Sequence, residues 1–88
     1  MDEATLISAA ARFKAAADLY AGVQKQMDDL ELDVKLAVRA GFPPADSEKA
    51  RNDYRRDNWL PAYCERAEAA KALCAAIGVT PSDLKYSL

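Results

Sequence analysis

The sequence predicts an all-α protein built on a long antiparallel helical hairpin of coiled-coil type. Alanine is abundant, whereas the chain has only three glycines and four prolines. Alanine is the best helix former, and glycine and proline are the worst. With 51% apolar and 30% charged residues over 88 positions, the composition is that of a single globular domain, residues 1–88.

The first predicted helix covers about residues 3–40. Its apolar side chains recur in strict three- and four-residue steps, which is the seam of a coiled coil or a long helical hairpin. Gly41 can end this helix, and Pro43 and Pro44 prevent its continuation. The seam consists of Leu6, Ala9, Phe13, Ala16, Tyr20, Val23, Met27, Leu30, Val34 and Ala37.

A loop over residues 41–46 leads to the second predicted helix, which runs over about residues 47–77. Asp46 is suited to cap the start of that helix, and Gly78 to cap its end. Pro61 removes one backbone hydrogen bond, so we expect a kink there.

Residues 81–86 are predicted to form a short final helix. Thr80 would be its N-cap, and Pro81 would occupy the first helical position.

The second helix has its own seam of apolar residues in three- and four-residue steps: Leu60, Tyr63, Ala67, Ala70, Cys74 and Ile77. An antiparallel fold about residues 43–44 would bring the two seams together. Tyr20 would then lie near Ala67. Carboxylates beside the first seam would form ion pairs with arginines of the second helix, as pairs that set register do. These are Glu31 and Asp33 on one side and Arg51, Arg55 and Arg56 on the other.

Apolar side chains also occur off the seam of the first helix. Leu32 and Leu36 are four positions apart and so share one face near the turn between the helices. An exposed apolar stripe on a small chain is typical of an interface. We therefore predict self-association through Leu32 and Leu36, most simply as a dimer that forms a four-helix bundle.

Several residue types needed for catalysis are missing from the sequence. The chain has no histidine, which is the commonest general base and metal ligand, and no glycine-rich phosphate loop. We therefore predict no enzyme activity, no cofactor and no metal site. The acidic cluster could support a metal-dependent enzyme, but we interpret it as a source of ion pairs; it contains Asp28, Asp29, Glu31 and Asp33.

Charge and hydropathy bear on the location and the partners. The net charge of −2 argues against a general binder of nucleic acid or anionic membranes. No apolar run approaches the length of a membrane span, and the first residues are acidic where a signal peptide is basic. We interpret Cys64 and Cys74 as reduced core cysteines. Together these features predict a cytoplasmic protein.

The leading functional hypothesis is a protein-interaction module that acts as a small adaptor, regulator or inhibitor on a larger protein. Arginine, tyrosine and tryptophan are the residue types enriched at protein-binding hot spots. The candidate partner-binding residues near the turn and the proline are Phe42, Arg51, Tyr54, Arg55 and Trp59.

The alternative is the binding of a nucleic acid or small nucleotide. Arg51, Tyr54 and Arg55 combine guanidinium and aromatic groups, which phosphate and base recognition uses.

The stretch 73–84, with Ile-Gly-Val-Thr at its centre, resembles a helix-turn-helix. In that family the second helix reads the major groove. The resemblance implies Ser82, Asp83, Lys85 and Tyr86 as the reading positions.

Overall fold

The computed structural model describes residues 2–79, and these are helical with no strand, as the sequence predicted. The elements in chain order are α1 (Glu3–Arg39), α2 (Ala45–Tyr54), a π-helical turn (Arg55–Trp59) and α3 (Leu60–Ile77). No residue intervenes between α2, the π-turn and α3, so they form one second helical segment. The predicted short helix 81–86 and the helix-turn-helix reading positions lie outside the described residues.

Both ends of α1 are capped by local hydrogen bonds. The Asp2 side chain accepts a hydrogen bond from the backbone N–H of Ala4 at 3.1 Å. At the other end Gly41 has a φ of 78°, and the N–H of Phe42 donates to the carbonyl of Ala37 at 3.0 Å. This is the Schellman arrangement, and it needs the left-handed backbone that glycine adopts without strain.

The second helical segment begins at Ala45, two residues before the predicted start. Asp46 is therefore not the N-cap; Pro44 occupies that position, and its carbonyl accepts the first helical hydrogen bond from the N–H of Glu48 at 2.8 Å. Proline fits there because it has no N–H that would need a partner. Asp46 lies in the first turn, where its charge still favours the helix dipole.

Gly78 ends α3 in the same way as Gly41 ends α1. Its φ is 79°, and the N–H of Val79 donates to the carbonyl of Cys74 at 3.0 Å. Both helical segments therefore stop at the glycines that the sequence indicated.

The irregularity expected at Pro61 lies just before it, in the π-turn. The N–H of Leu60 donates to the carbonyl of Arg55, five residues earlier instead of four. In a regular helix the ring of Pro61 would collide with the carbonyl four residues before it, and a wider turn relieves that collision. Arg51 and Trp59 are eight residues apart, so in a regular α-helix their side chains would point in directions about 80° apart around the helix axis. The extra residue of the π-turn reduces this angle, so that both side chains reach α1.

The contacts between α1 and the second segment run antiparallel. Arg12 contacts Glu65 at 2.7 Å, Gln24 contacts Trp59 at 2.8 Å, and Glu31 contacts Arg51 at 3.5 Å. In each contact the residue of the second segment lies four to ten positions earlier in the sequence than the residue that a fold about residues 43–44 would place there. The early start at Ala45 accounts for part of this difference, because it shortens the connection and moves the point of reversal towards α1.

Small side chains dominate the buried contact between the helices. Alanine permits close approach of two helices, but each alanine removes little apolar surface from water. Cys64 is exposed, not in the core as the sequence suggested. The buried residues are Ala16, Met27, Val34, Ala62, Ala69, Ala70, Cys74 and Ala76.

The molecule is a thin rod. Its principal extents are 58 × 21 × 15 Å, and its radius of gyration is 17.2 Å, against about 12 Å for a compact chain of this length. The smallest extent is close to the diameter of a single helix, about 10–12 Å with side chains. Within residues 2–79 no helix is both long and apolar enough to cross a membrane.

Met27 should contribute far more to stability than an equally apolar residue on the outside of α1. Met27 is 7% exposed, whereas Leu19 is 57% exposed. We expect Met27→Ala to lower the free energy of unfolding by about 2–4 kcal/mol, because it leaves a cavity between the helices. Leu19→Ala should change it by less than about 1 kcal/mol. Urea unfolding followed by circular dichroism at one protein concentration tests this; equal effects would contradict the buried position of Met27.

Candidate functional site

Three aromatic rings from both helical segments meet at the middle of the rod. Trp59 and Tyr63 are stacked, with ring centroids 5.3 Å apart and planes at 14°. Tyr20 of α1 lies tilted against both, with centroids 6.1 Å from Trp59 and 6.2 Å from Tyr63. Such pairs contribute about 0.5–1.5 kcal/mol each beyond their area burial. This aromatic cluster therefore holds α1 against the second segment.

Gln24 accepts hydrogen bonds from two of the three residues of the aromatic cluster. Its Oε1 atom accepts hydrogen bonds from the Trp59 Nε1–H at 2.8 Å and from the Tyr20 hydroxyl at 3.0 Å. Its Nε2 atom donates to Asp28 Oδ1 at 2.9 Å, which orients the amide. Tyr20, Gln24 and Asp28 follow one another at four-residue steps and so share one face of α1. The indole is therefore held in one orientation.

Two guanidinium groups lie over the aromatic cluster. The Cζ atom of Arg66 is 4.3 Å from the centroid of the Tyr20 ring, and that of Arg55 is 5.7 Å from the Trp59 ring. Both distances are within the range of cation–π attraction. The cluster thus carries positive charge on two of its rings.

The predicted partner-binding residues do not form one patch. Arg55 and Trp59 are in contact, but Trp59 is half-buried in the aromatic cluster instead of free to insert into a partner. Phe42 is exposed in the loop between the helices. Trp59 lies fourteen residues beyond Ala45, which is about 21 Å of helical rise. Phe42 therefore belongs to a separate surface.

Arg51 and Tyr54 occupy less exposed positions. Arg51 Nη1 donates to Glu31 Oε2 at 3.5 Å, across the two helical segments, and its side chain is only a quarter exposed. Tyr54 is half-buried at the end of α2. The contact of Arg51 with Glu31 is one of the ion pairs that the sequence suggested.

A shallow groove of about 330 Å³ runs along the exposed side of the π-turn; it is lined by Asn52, Arg55, Arg56 and Leu60. Arg56 is engaged there by Asp57, with its Nε atom 2.8 Å from Oδ1 and Nη2 3.1 Å from Oδ2. That contact lowers the pKa of the Asp57 carboxyl and raises the pKa of Arg56. Arg56 thus pairs with its own helix and not with the acidic residues of α1, as the sequence had suggested.

A second shallow groove, of about 450 Å³, lies near the end of α1. It is lined by Leu32, Val34, Lys35, Leu36, Val38 and Arg39. Leu32 and Leu36 are 52% and 51% exposed, whereas Val34 between them is buried against the second segment. Because Val34 is two residues from each leucine, Leu32 and Leu36 face away from that segment.

The network that joins the aromatic rings is not evident from the pattern of apolar residues. That pattern places Tyr20 and Tyr63 on the seams as apolar positions and assigns no role to Gln24 or Arg66. A possible signal was the presence of two tyrosines on the seams, since a half-buried hydroxyl needs a partner. Gln24 stands one turn after Tyr20 and can provide it.

A bidentate ion pair links the N-terminal third of α1 to α3. Arg12 Nη2 is 2.7 Å from Glu65 Oε1, and Arg12 Nε donates to Glu65 Oε2 at 3.1 Å. The hydrogen bonds from Arg12 hold the pKa of the Glu65 carboxyl below its ordinary value.

Comparison of the chain with protein-family models, curated proteins and solved structures finds no match. Its function is therefore argued from the surfaces described above.

Gln24 should matter more to stability than a glutamine on the outside of the same helix. Gln24→Ala leaves the Trp59 Nε1–H and the Tyr20 hydroxyl without their shared acceptor. We expect the free energy of unfolding to fall by about 1–2 kcal/mol. Gln26→Ala is the control, because Gln26 is exposed, and it should change stability by less than about 0.5 kcal/mol. Trp59 fluorescence during urea unfolding reports both variants, and equal losses would rule out the role of Gln24.

The Arg12–Glu65 pair predicts a specific dependence of stability on pH. A carboxyl whose folded pKa is lowered stabilises the fold above its unfolded pKa, and this contribution is lost as pH falls through the folded pKa. Glu65→Gln should therefore be less stable than the natural chain at pH 7, and the difference should disappear in acid, below the ordinary glutamate pKa of 4.5.

The control for this comparison is Arg12→Gln. With that substitution already present, Glu65→Gln should no longer alter the pH profile of urea unfolding. A difference that persists unchanged at low pH would contradict the assignment.

Proposed function

We propose that this chain is a non-enzymatic, cytoplasmic protein-interaction module. In this proposal it forms a helical hairpin that self-associates and docks on a larger protein as an adaptor, regulator or inhibitor. The observation that carries the proposal is the amount of apolar surface left outside a single layer of two helices. The exposed large apolar residues among those described are Ile7, Leu19, Leu32, Leu36, Val38, Phe42, Leu60 and Ile77.

The shape of the rod supports self-association. An extent of 15 Å leaves room for only one layer of helices, so each helix buries one stripe and leaves its other faces in water. Contiguous exposed apolar surface on a small protein commonly marks an interface. A second copy packed against Leu32 and Leu36 would supply the missing layer of a four-helix arrangement.

The groove along the π-turn is the surface that best fits a protein partner. Arg55 is exposed and held over the Trp59 ring, which limits its conformations before binding. Leu60 lies in the same groove and is exposed. A carboxylate can bind the Arg55 guanidinium bidentately while an apolar side chain covers Leu60. The partner surface is therefore expected to combine an acidic and an apolar residue.

Charge pairing in this region favours a protein over a nucleic acid. Arg51 and Arg56 already contact carboxylates of the same chain. The local field is therefore weaker than the number of arginines suggests, and binding of a polyanion depends on that field.

Charge reversal at Arg55 should abolish docking of the partner. Affinity capture from the source cell with the natural chain, Arg55→Glu and Lys71→Glu tests this, with the bound protein identified by mass spectrometry. Lys71→Glu is the control, because it reverses one positive charge just as Arg55→Glu does. Lys71 is exposed on α3 and makes its ion pair with Glu68 on the same helix. We expect one protein in stoichiometric amount to be lost with Arg55→Glu, by about tenfold or more, and kept with Lys71→Glu.

The same experiment separates the nucleic-acid alternative. Recovery of oligonucleotide that dissociates steeply as salt rises would favour that alternative over the proposal. Equal capture by Arg55→Glu and the natural chain would show that the groove is not the docking surface.

A further inference from the structure

The face of α1 that points away from the second segment carries an ordered series of residues. They recur in steps of three and four positions, so they form one straight stripe along the helix. All of them are exposed. This outer stripe consists of Ile7, Ala11, Lys14, Asp18, Gly22, Lys25, Asp29, Leu32 and Leu36.

The outer stripe is complementary to itself when it is reversed. If a second copy lies antiparallel with its centre near Gly22, residues whose numbers add to 43 stand opposite each other. Each opposite pair is then either apolar or of opposite charge. The pairs are Ile7 with Leu36, Ala11 with Leu32, Lys14 with Asp29 and Asp18 with Lys25.

We infer that α1 binds a second copy of the chain through this outer stripe, antiparallel and in this register. The inference deepens the self-association part of the proposed function by naming its surface and partner. A twofold axis makes each pair occur twice, so the arrangement contains four ion pairs between apolar ends. The stripe from Ile7 to Leu36 is about 44 Å long, which extends the interface well beyond Leu32 and Leu36.

Gly22 provides an independent reason for a close neighbour on this face. A glycine inside a helix costs about 1 kcal/mol relative to alanine. Apart from Gly22 itself, its two chain neighbours and the adjacent backbone of α1, no heavy atom of the described residues lies within 4 Å of the position that a Cβ atom would take at Gly22. Packing within the chain therefore does not require glycine there. At the centre of two antiparallel helices a missing side chain lets the backbones approach closely. Ala21 beside it is small as well.

The charged residues of the outer stripe are all exposed and can therefore contact a second copy. Lys14 and Asp18 form an ion pair at 2.9 Å, and their side chains remain 80% and 69% exposed. In the inferred register Asp29 and Lys25 of the second copy would join this pair and extend it into a network of alternating charges. Just beside the stripe, Glu3 of each copy would lie near Arg39 of the other. A protein with unrelated charges would lack this match along the whole helix, which favours a second copy as the occupant.

Two single charge reversals and their mixture test the register. In the homodimer of Lys14→Glu, the new glutamate lies opposite Asp29 of the other copy, and this repulsive pair occurs twice. In the homodimer of Asp29→Lys, the new lysine lies opposite Lys14 of the other copy, again twice. For each variant alone, the dissociation constant of the dimer should be about tenfold or more above that of the natural chain. An equimolar mixture should recover dimers that contain one copy of each, because both pairs are then of opposite charge.

Sedimentation equilibrium at low ionic strength measures the dissociation constants, and native mass spectrometry distinguishes the mixed dimer from each homodimer by mass. The matched control is Lys71→Glu, which makes the same charge change at an exposed residue of α3, away from the outer stripe. It should dimerise like the natural chain. Circular dichroism checks that every variant keeps its helical content.

Three results would overturn the inference: a monomeric natural chain at about 100 µM, unchanged dimerisation of both single variants, or no mixed dimer after the variants are combined. These results leave the docking test at Arg55 unaffected, because that test uses another surface and another readout. Conversely, failure of the Arg55 test would leave the dimer inference standing.

Discussion

The contact between α1 and α3 depends on alanine, and this choice shapes the rest of the molecule. Ala62, Ala69 and Ala70 are buried against α1. They let the helices approach closely, yet each contributes little hydrophobic free energy because it removes little surface from water. The pair of helices therefore needs further interactions, and it obtains them from the aromatic cluster at its middle and from ion pairs towards its ends.

The π-turn connects this packing to the candidate binding surface. It lies immediately before Pro61, and it allows Arg51 and Trp59 to contact α1 while Arg55 stays exposed. The hydrogen bond from Trp59 to Gln24 then fixes the ring over which Arg55 lies. π-Turns occur frequently at functional sites. One local irregularity thus stabilises the inner contact and orients an arginine on the outer surface.

Two separate faces remain for interactions, and they have different chemistry. The groove at the π-turn presents one oriented arginine beside Leu60, which suits an acidic and apolar partner surface. The outer stripe of α1 is longer and balances its charges within itself, which suits a second copy. Because the faces lie on different helical segments, self-association through one leaves the other open for a larger protein.

The sequence by itself determined the helical composition and the stripe of α1 that contains the buried Ala16, Met27 and Val34. It also determined the stops at Gly41 and Gly78 and the exposure of Leu32 and Leu36. These features depend on local backbone preference and on the helical period, which residue order specifies directly. Tertiary structure decided the start at Ala45, the π-turn and the network around Gln24. Such contacts join residues about 35 positions apart, and which residues meet depends on the register of two helices. A repeat of apolar residues fits several neighbouring registers equally well, so it does not select one. The connection between the helices and the π-turn select the register that the structure shows.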